Sequence, residues 1–271
     1  MLSLSAVALS FAPAPLRAPQ SVCRAGAVSM ESAGDLKALA DKCNPLVGFW
    51  DPMNLAEYDQ WSQGEEAAIG FLRHAEIKHG RVAMAAFVGY CLQANGAHFP
   101  WGLTDSVSFG DISAAGYPNE QWDALPTLAK LQIIAAIGLL EYFGESDFAL
   151  GNSGEKHYMK GGTPGFYPSL KSAGVPHPVP LDLWDPFGFT KGMSAEKKAK
   201  SLKAEINNGR LAMIGIMSLM CAAKGAIVGP LDGLIPAYGG EPMAPFAAGD
   251  VKLPMVAEML KAFDGASFAG Y

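Results

Sequence analysis

The chain is short of charge. Asp, Glu, Lys and Arg make up 17% of its 271 residues, while hydrophobic residues make up 50%. That balance disfavours an ordinary soluble domain and points to a membrane or to heavy cofactor burial. There is no basic surplus either: the formal net charge is −6, which excludes nucleic acid as a natural partner. Four cysteines are present, Cys23, Cys43, Cys91 and Cys221, and none forms a CxxC pair. Neither a zinc site nor a disulfide framework follows from them. No glycine-rich phosphate loop, catalytic-triad spacing or metal-hydrolase motif occurs, so an enzyme or a small transporter has nothing to stand on. Also missing is an uninterrupted run of about twenty apolar residues, the simplest mark of a membrane span. The first thirty residues lack any acid; they carry Arg17 and Arg24 among many Ser and Ala, the composition of a targeting leader.

What is present is an apolar helical pattern in three stretches, about 65–95, 127–145 and 194–224, separated by long irregular loops rich in Gly, Pro and aromatic residues. Ser194 is placed to cap the third helix and Gly225 to end it. Measured by uninterrupted apolar runs, none of the three qualifies as a span. The first carries Arg73, Glu76, Lys78 and Arg81 before its apolar half, and the third carries Lys203, Glu205 and Arg210. Yet a helix of about thirty residues is about 45 Å long, enough to cross a bilayer and protrude.

The charges become intelligible through a repeat. Residues 75–84 read AEIKHGRVAM and residues 204–213 read AEINNGRLAM. Each copy has a Trp-Asp-Pro upstream, Trp50-Asp51-Pro52 and Trp184-Asp185-Pro186. Two matching helices in one chain suggest a pseudo-two-fold arrangement. Glu76 and His79 share a helix face, whereas Arg81 lies about 140° around the helix from Glu76 and cannot easily pair with it. If the helices cross near Gly80 and Gly209, Glu76 can meet Arg210 and Glu205 can meet Arg81. The crossing is then neutral, which makes it tolerable in a membrane. Gly80, Ala83, Gly209 and Ala212 are small enough to let the backbones approach. Each carboxylate keeps a spare oxygen, and oxygen is what a hard cation such as Mg²⁺ prefers. Packing alone is the plainer explanation of one such motif; duplication with reciprocal charges favours the functional one.

On these residues the chain closely resembles the light-harvesting chlorophyll-binding antenna family, over most of its length after the leader. The resemblance implies an all-α membrane protein with three transmembrane helices, the first and third crossing as a pseudo-two-fold pair. It implies chlorophyll held through its magnesium by Glu76 and His79 on the first helix and by Glu205 and Asn208 on the third, with Arg81 and Arg210 as structural ion-pair partners. On the middle helix Gln132 and Glu141 are the candidate ligands, with Glu145 a weaker alternative. The Trp-Asp-Pro segments resemble stretches that hold carotenoid ends. Met84 and Met213 are read as packing residues beside pigment. Plant-type members carry a glutamine where Ala222 stands here, so a chlorophyll at that place has no side-chain ligand. His74 is expected near the membrane boundary, and His98, His157 and His177 in loops.

The loops and leader look more like algal chlorophyll a/c antennae of dinoflagellate or haptophyte type. The implied cofactors are chlorophyll a, chlorophyll c and peridinin- or fucoxanthin-like and diadinoxanthin-like carotenoids. Residues 8–13, ALSFAP, resemble the phenylalanine-containing motif of plastid-targeting presequences in red-lineage algae. The expected organisation is a plastid-targeting leader over 1–30 and an antenna domain over 31–271, placed in the thylakoid membrane of the chloroplast as a multi-pass protein. The expected partners are a photosystem core, photosystem I slightly favoured, neighbouring antenna subunits and thylakoid lipids. Such a protein harvests light and catalyses no bond change. A photoprotective quencher of the same fold is the alternative.

Overall fold

A computed structural model describes residues 32–59, 62–171, 174, 189–190, 192–225, 229 and 233–266. The leader, His177 and the second Trp-Asp-Pro copy lie outside the described residues. Within them the chain is mostly helical: α1 Ala33–Cys43, α2 Glu65–Ala94, α3 Phe109–Ala114, α4 Pro118–Asp123, α5 Thr127–Glu145, α6 Asp147–Ser153, α7 Ala195–Ala223 and α8 Val256–Ala266. Short 3₁₀ turns occupy Tyr158–Lys160 and Ala248–Asp250. The three long helices fall where the apolar pattern put them. The connections are more structured than their Gly and Pro content suggested, because short capped helices punctuate them.

Local chemistry explains the boundaries. The Ser194 hydroxyl accepts the Lys197 N–H at 3.4 Å and starts α7. Gly225, at φ +79°, adopts the left-handed conformation that closes it. Ser32 and Asp35 form a reciprocal capping box on α1. The Ser32 backbone N–H and then its hydroxyl hold the Asp35 carboxyl below the usual range. The first Trp-Asp-Pro copy makes a similar turn: Asp51 accepts the N–H groups of Leu55 at 3.0 Å and Ala56 at 2.9 Å. Asp59 does the same for Gln63 and Gly64, fixing the entry to α2.

Two of the long helices are apolar enough to cross a membrane by length and composition: α5, at mean hydropathy 1.3, and α7, at 1.2. Neither is an uninterrupted apolar run, so the sequence reading stands on that criterion, while the average qualifies both. The uninterrupted-run criterion fails on single polar residues, whereas an average along the helix absorbs them. Residues 131–140 of α5 carry no charge, and beyond Arg210 the rest of α7 is uncharged. Among the α5 residues only Lys130 is buried. Ile133, Ile134, Ile137, Leu139 and Leu140 are all exposed, so α5 is an apolar rod uncovered by protein. That is the opposite of a soluble core helix and suits a lipid-facing one.

The most extensive packing joins α2 to α7. They touch at Gly80 and Gly209, where a Cβ on either residue would come within 3.1 Å or 2.9 Å of the other's Cα. One to two turns further along both helices, the Phe87 ring lies against Gly215. The two helices therefore run in the same direction. Their C-terminal ends converge on α4: Gln121 Nε2 donates to the Gln93 carbonyl at 3.2 Å, and Tyr238, bonded to Ala223, donates its hydroxyl to Asp123 at 2.6 Å. From there α5 returns the opposite way. It is held at its two ends rather than along its length.

Candidate functional site

The crossing carries two reciprocal ion pairs. Arg210 Nε donates to Glu76 Oε1 at 2.6 Å, and Arg81 Nε donates to Glu205 Oε1 at 2.6 Å. Burial accompanies them: Glu76 and Glu205 side chains are 25% and 23% exposed. The pairs are not equivalent, however. Arg73, one turn before Glu76 on the same helix and buried, also bonds Glu76 through Oε2. Both Glu76 oxygens are thus bonded to guanidinium groups, and the expectation of a spare oxygen on each Glu needs correcting at Glu76. The i,i+3 spacing lets Arg73 fold over Glu76 in addition to the interhelical pair. Glu205 has only Arg81 among the described residues, and its Oε2 stays open. Arg81 further donates Nη1 to the Gly165 carbonyl at 2.6 Å, tying the loop after α6 to the crossing.

His79 and Asn208 occupy equivalent places in the repeat, and both are exposed beside the crossing. The His79 ring is oriented by its own helix: Nδ1 lies 2.8 Å from the Ala75 carbonyl. A carbonyl only accepts, so Nδ1 carries the proton and Nε2 presents a bare lone pair outward. That is the arrangement in which a second partner fixes the tautomer of a metal-ligating imidazole. His79 Nε2, the Asn208 amide oxygen and Glu205 Oε2 are N and O donors of the kind that could hold a magnesium-bearing cofactor.

On α5, Gln132 is exposed within the uncharged stretch. Glu141 reaches across to Lys78 of α2, which bonds its Oε2. Glu145 is otherwise engaged: its Oε2 accepts His157 Nε2 at 2.7 Å, and its Oε1 lies 3.7 Å from His74 Nε2 and 3.8 Å from Lys78 Nζ. Crowded by donors, Glu145 is a hub that fastens α5 to α2 and to the 157–165 loop.

His74 is buried inside the protein. It is 8% exposed, stacked on Tyr158 with ring centroids 3.9 Å apart. The Gly165 N–H donates to its Nδ1 at 3.0 Å, so Nε2 carries the proton and has no lone pair for a metal. His157 has the same tautomer, because the Met159 N–H donates to its Nδ1 at 3.2 Å. Tyr158 is pushed up to about 12 by burial and then by Glu145. Sequence reading left His74 and His157 unconnected; they are 83 positions apart and meet only through Glu145 and Tyr158.

The other end of α5 is clasped by the C-terminal segment. Lys130 Nζ donates to Asp250 Oδ2 at 2.7 Å with both side chains buried, 1% and 3% exposed. Thr127 donates to Oδ1 of the same carboxylate, and the Ala247 N–H adds a bond to Oδ2 at 3.1 Å. Burial pushes the Asp250 carboxyl up, but the Lys130, Thr127 and Ala247 hydrogen bonds outweigh it and hold the pKa below the usual range. Trp122 Nε1 donates to the Pro245 carbonyl at 2.9 Å nearby. Lysine within an apolar helix was the available signal for this clasp, and no partner could be assigned from spacing alone. Ala222, where plant-type members carry glutamine, is buried at the end of α7. Near the same end of the bundle the Tyr90 hydroxyl is buried without a hydrogen-bond partner among the described residues.

Comparison with known proteins identifies the family. The family described as Chlorophyll A-B binding protein matches residues 36–224, which include both crossing helices and α5. A fucoxanthin-chlorophyll a-c binding protein of Trieres chinensis is 32% identical over 244 residues, covering 87% of this chain and 95% of its own. Protein F of that name from Phaeodactylum tricornutum is 33% identical over 226 residues, covering 82% and 92%. Protein E from Macrocystis pyrifera is 32% identical over 179 residues, covering 65% and 69%. With its duplicated crossing motif inside the matched region, this chain belongs to the chlorophyll a-b binding protein family and, within it, to the chlorophyll a/c light-harvesting antennae.

Proposed function

We propose that the chain is a three-span thylakoid antenna that holds chlorophyll a, chlorophyll c and fucoxanthin-like carotenoids and passes excitation to a photosystem. The observation that carries this reading is the crossing itself. Both members of a reciprocal ion-pair lock stand beside donor atoms without a bond among the described residues, His79 Nε2 on α2 and Glu205 Oε2 and the Asn208 amide on α7. Chlorophyll, when bound, supplies the excited state that is transferred. The chain's part is to fix spacing and exclude water. α2 and α7 form the rigid centre, and their ligands project into the flanks. α5, clasped only at its ends, leaves an apolar flank for pigment between itself and the crossing pair.

In this reading Glu76 ligates with the lone pairs that Arg210 and Arg73 leave over, and Gln132 and Glu141 serve α5. α2 is the third span, its charged half neutralised by Glu–Arg pairing. The unpaired Tyr90 hydroxyl suits an oxygen-bearing pigment, since buried hydroxyls normally find a partner. Peridinin- and diadinoxanthin-like carotenoids fit the same flanks. The first thirty residues direct the chain to the plastid, and photosystem I with neighbouring antenna subunits is the favoured partner.

Purification in mild detergent, followed by an absorption spectrum and pigment chromatography, tests this directly. Chlorophyll bands with stoichiometric carotenoid are expected. A folded, colourless preparation overturns it. Excited-state lifetimes that stay long at neutral and acid pH separate a harvester from a quencher.

A further inference from the structure

The two repeat helices are covered differently at their N-terminal ends. On α2 that end is packed against protein: Ala68, Ile69 and His74 are 3%, 0% and 8% exposed. The 3₁₀ turn Tyr158–Lys160 lies across it, with the Tyr158 carbonyl oxygen 2.6 Å from where a Cβ on Gly70 would stand. In the register of the repeat, Ala68, Ile69, Phe71 and His74 correspond to Lys197, Lys198, Lys200 and Lys203 of α7. All four lysines are exposed, and none of their ammonium groups bonds another described residue. Glu196 is the one acid among residues 195–203. α1 packs against α7, where Asn207 donates to the Cys43 carbonyl at 3.3 Å, but it adds no net charge: Asp35 and Asp41 balance Lys37 and Lys42. The positive surplus on this helix face is therefore not offset by the described elements beside it.

Membrane thickness places that face. α7 ends at Ala223. A hydrocarbon core about 30 Å thick takes about twenty helical residues, which reaches back to Ala204. Lys203 then stands at the edge of the core, and Lys197 about 10 Å beyond it, across the headgroup layer. Leu202, 44% exposed, sits among them. Lysine stems lie along apolar surface of this kind while the ammonium groups stay in water. We infer that Lys197, Lys198, Lys200 and Lys203 form a docking face for anionic lipid headgroups. This rests on the membrane-spanning reading of the preceding section. Basic residues just outside a span are each drawn to an anionic membrane surface, and the attraction fades within a Debye length. An acidic protein segment would meet the charge, but the depth of the lysines and the exposed Leu202 favour a headgroup with its acyl chains below. The end of α2 is thus pinned by protein, and the matching end of α7 by lipid.

The test uses the pigment-loaded full chain, reconstituted in vesicles of equal parts phosphatidylcholine and phosphatidylglycerol and then extracted in mild detergent. Lipid retained per chain is read by chromatography, and chlorophyll content of the same sample reports folding. The wild type is expected to retain phosphatidylglycerol several-fold over phosphatidylcholine. Lys197→Gln, Lys198→Gln, Lys200→Gln and Lys203→Gln together are expected to abolish that preference with pigment unchanged. Arginine at the same four positions keeps the charge and is expected to keep the preference. A control, Lys252→Gln with Lys261→Gln in the C-terminal segment, is expected to leave it intact. A wild type without preference overturns the proposal, and so does a glutamine variant that retains it or a control that loses it as fully. A wild type without lipid preference that binds poly-glutamate through these lysines would mark an acidic protein partner instead. If the fourfold glutamine variant does not assemble, the pairs Lys197→Gln/Lys198→Gln and Lys200→Gln/Lys203→Gln are each expected to lose part of the preference. Both pairs at the wild-type level overturn the proposal. A chain that an alkaline wash strips from the vesicles would instead remove the membrane-spanning reading, so the two failures are distinguishable.

Discussion

Gly80 and Gly209 meet backbone to backbone, and each stands where a methyl group on the other would come 3.1 Å or 2.9 Å from an opposing Cα. Everything else at the crossing is measured from that contact. Because the two backbones are so close, side chains one turn away on either helix reach past each other. Glu76 can then span to Arg210, and Arg81 to Glu205. Gly209→Ala is expected to force the helices apart and destabilise the assembled protein by about 1–3 kcal/mol, the usual range for overpacking. Thermal loss of pigment circular dichroism measures it. An unchanged midpoint would mean that the helices slide freely at this point.

The asymmetry of the two ion pairs ranks their removal. Arg210→Leu leaves Glu76 with Arg73, whereas Arg81→Leu leaves Glu205 with no cation among the described residues. Breaking one side of a buried pair costs about 3–5 kcal/mol, less where water reaches the survivor. Arg81→Leu is therefore expected to assemble with less pigment than Arg210→Leu. Glu76→Gln should be milder than either, since the amide can still ligate magnesium. Reconstitution yields of the three variants, side by side, check the order; an Arg210→Leu protein worse than Arg81→Leu contradicts the role given to Arg73.

His79 and Asn208 are independent sites in this account, one on each repeat. His79→Leu and Asn208→Leu are each expected to remove one chlorophyll and leave the crossing intact. The double variant should lose two. Chlorophyll-to-carotenoid ratios after purification read this out, and a His79→Leu chain with unaltered ratios would refute ligation through Nε2.

The Asp250 clasp has a defined pH behaviour. Its folded carboxyl lies below its unfolded value, so the stabilisation is present above the ordinary carboxylate range, about 3.9, and is lost as pH falls through the folded value. Mild acidification to about pH 5 should therefore leave the C-terminal segment docked. Release is expected only below about pH 4. Trp122, bonded to Pro245 beside the clasp, gives a fluorescence reporter. Loss of docking between about pH 6 and 5 would show that a different group controls this end of α5.

Much of the centre was legible in the chain itself. A repeat with identical Glu, Gly and Arg positions required reciprocal pairing once the two glycines met, because five residues of helix turn Glu76 away from Arg81. Helix ends were legible too, through Ser194 and Gly225. Uninterrupted runs understate the apolar character of α5 and α7, which are apolar enough on average although neither is uninterrupted. The contacts of Arg73, His74, Glu145 and His157 were not legible. They depend on where a loop with no periodic pattern folds back, and spacing along a helix says nothing about that.

The sequence by itself determined three long helices, two of them duplicates, and which of their polar residues must face each other. Helical periodicity and charge balance act locally, so they are written in residue order. Tertiary structure alone decided how α5 is held: by Lys78 on α2 at one end and by Asp250 of the C-terminal segment at the other, 120 positions away from its Lys130 partner. Such pairings join elements far apart in the chain. Their partners are chosen by the geometry of packing, which no local pattern encodes.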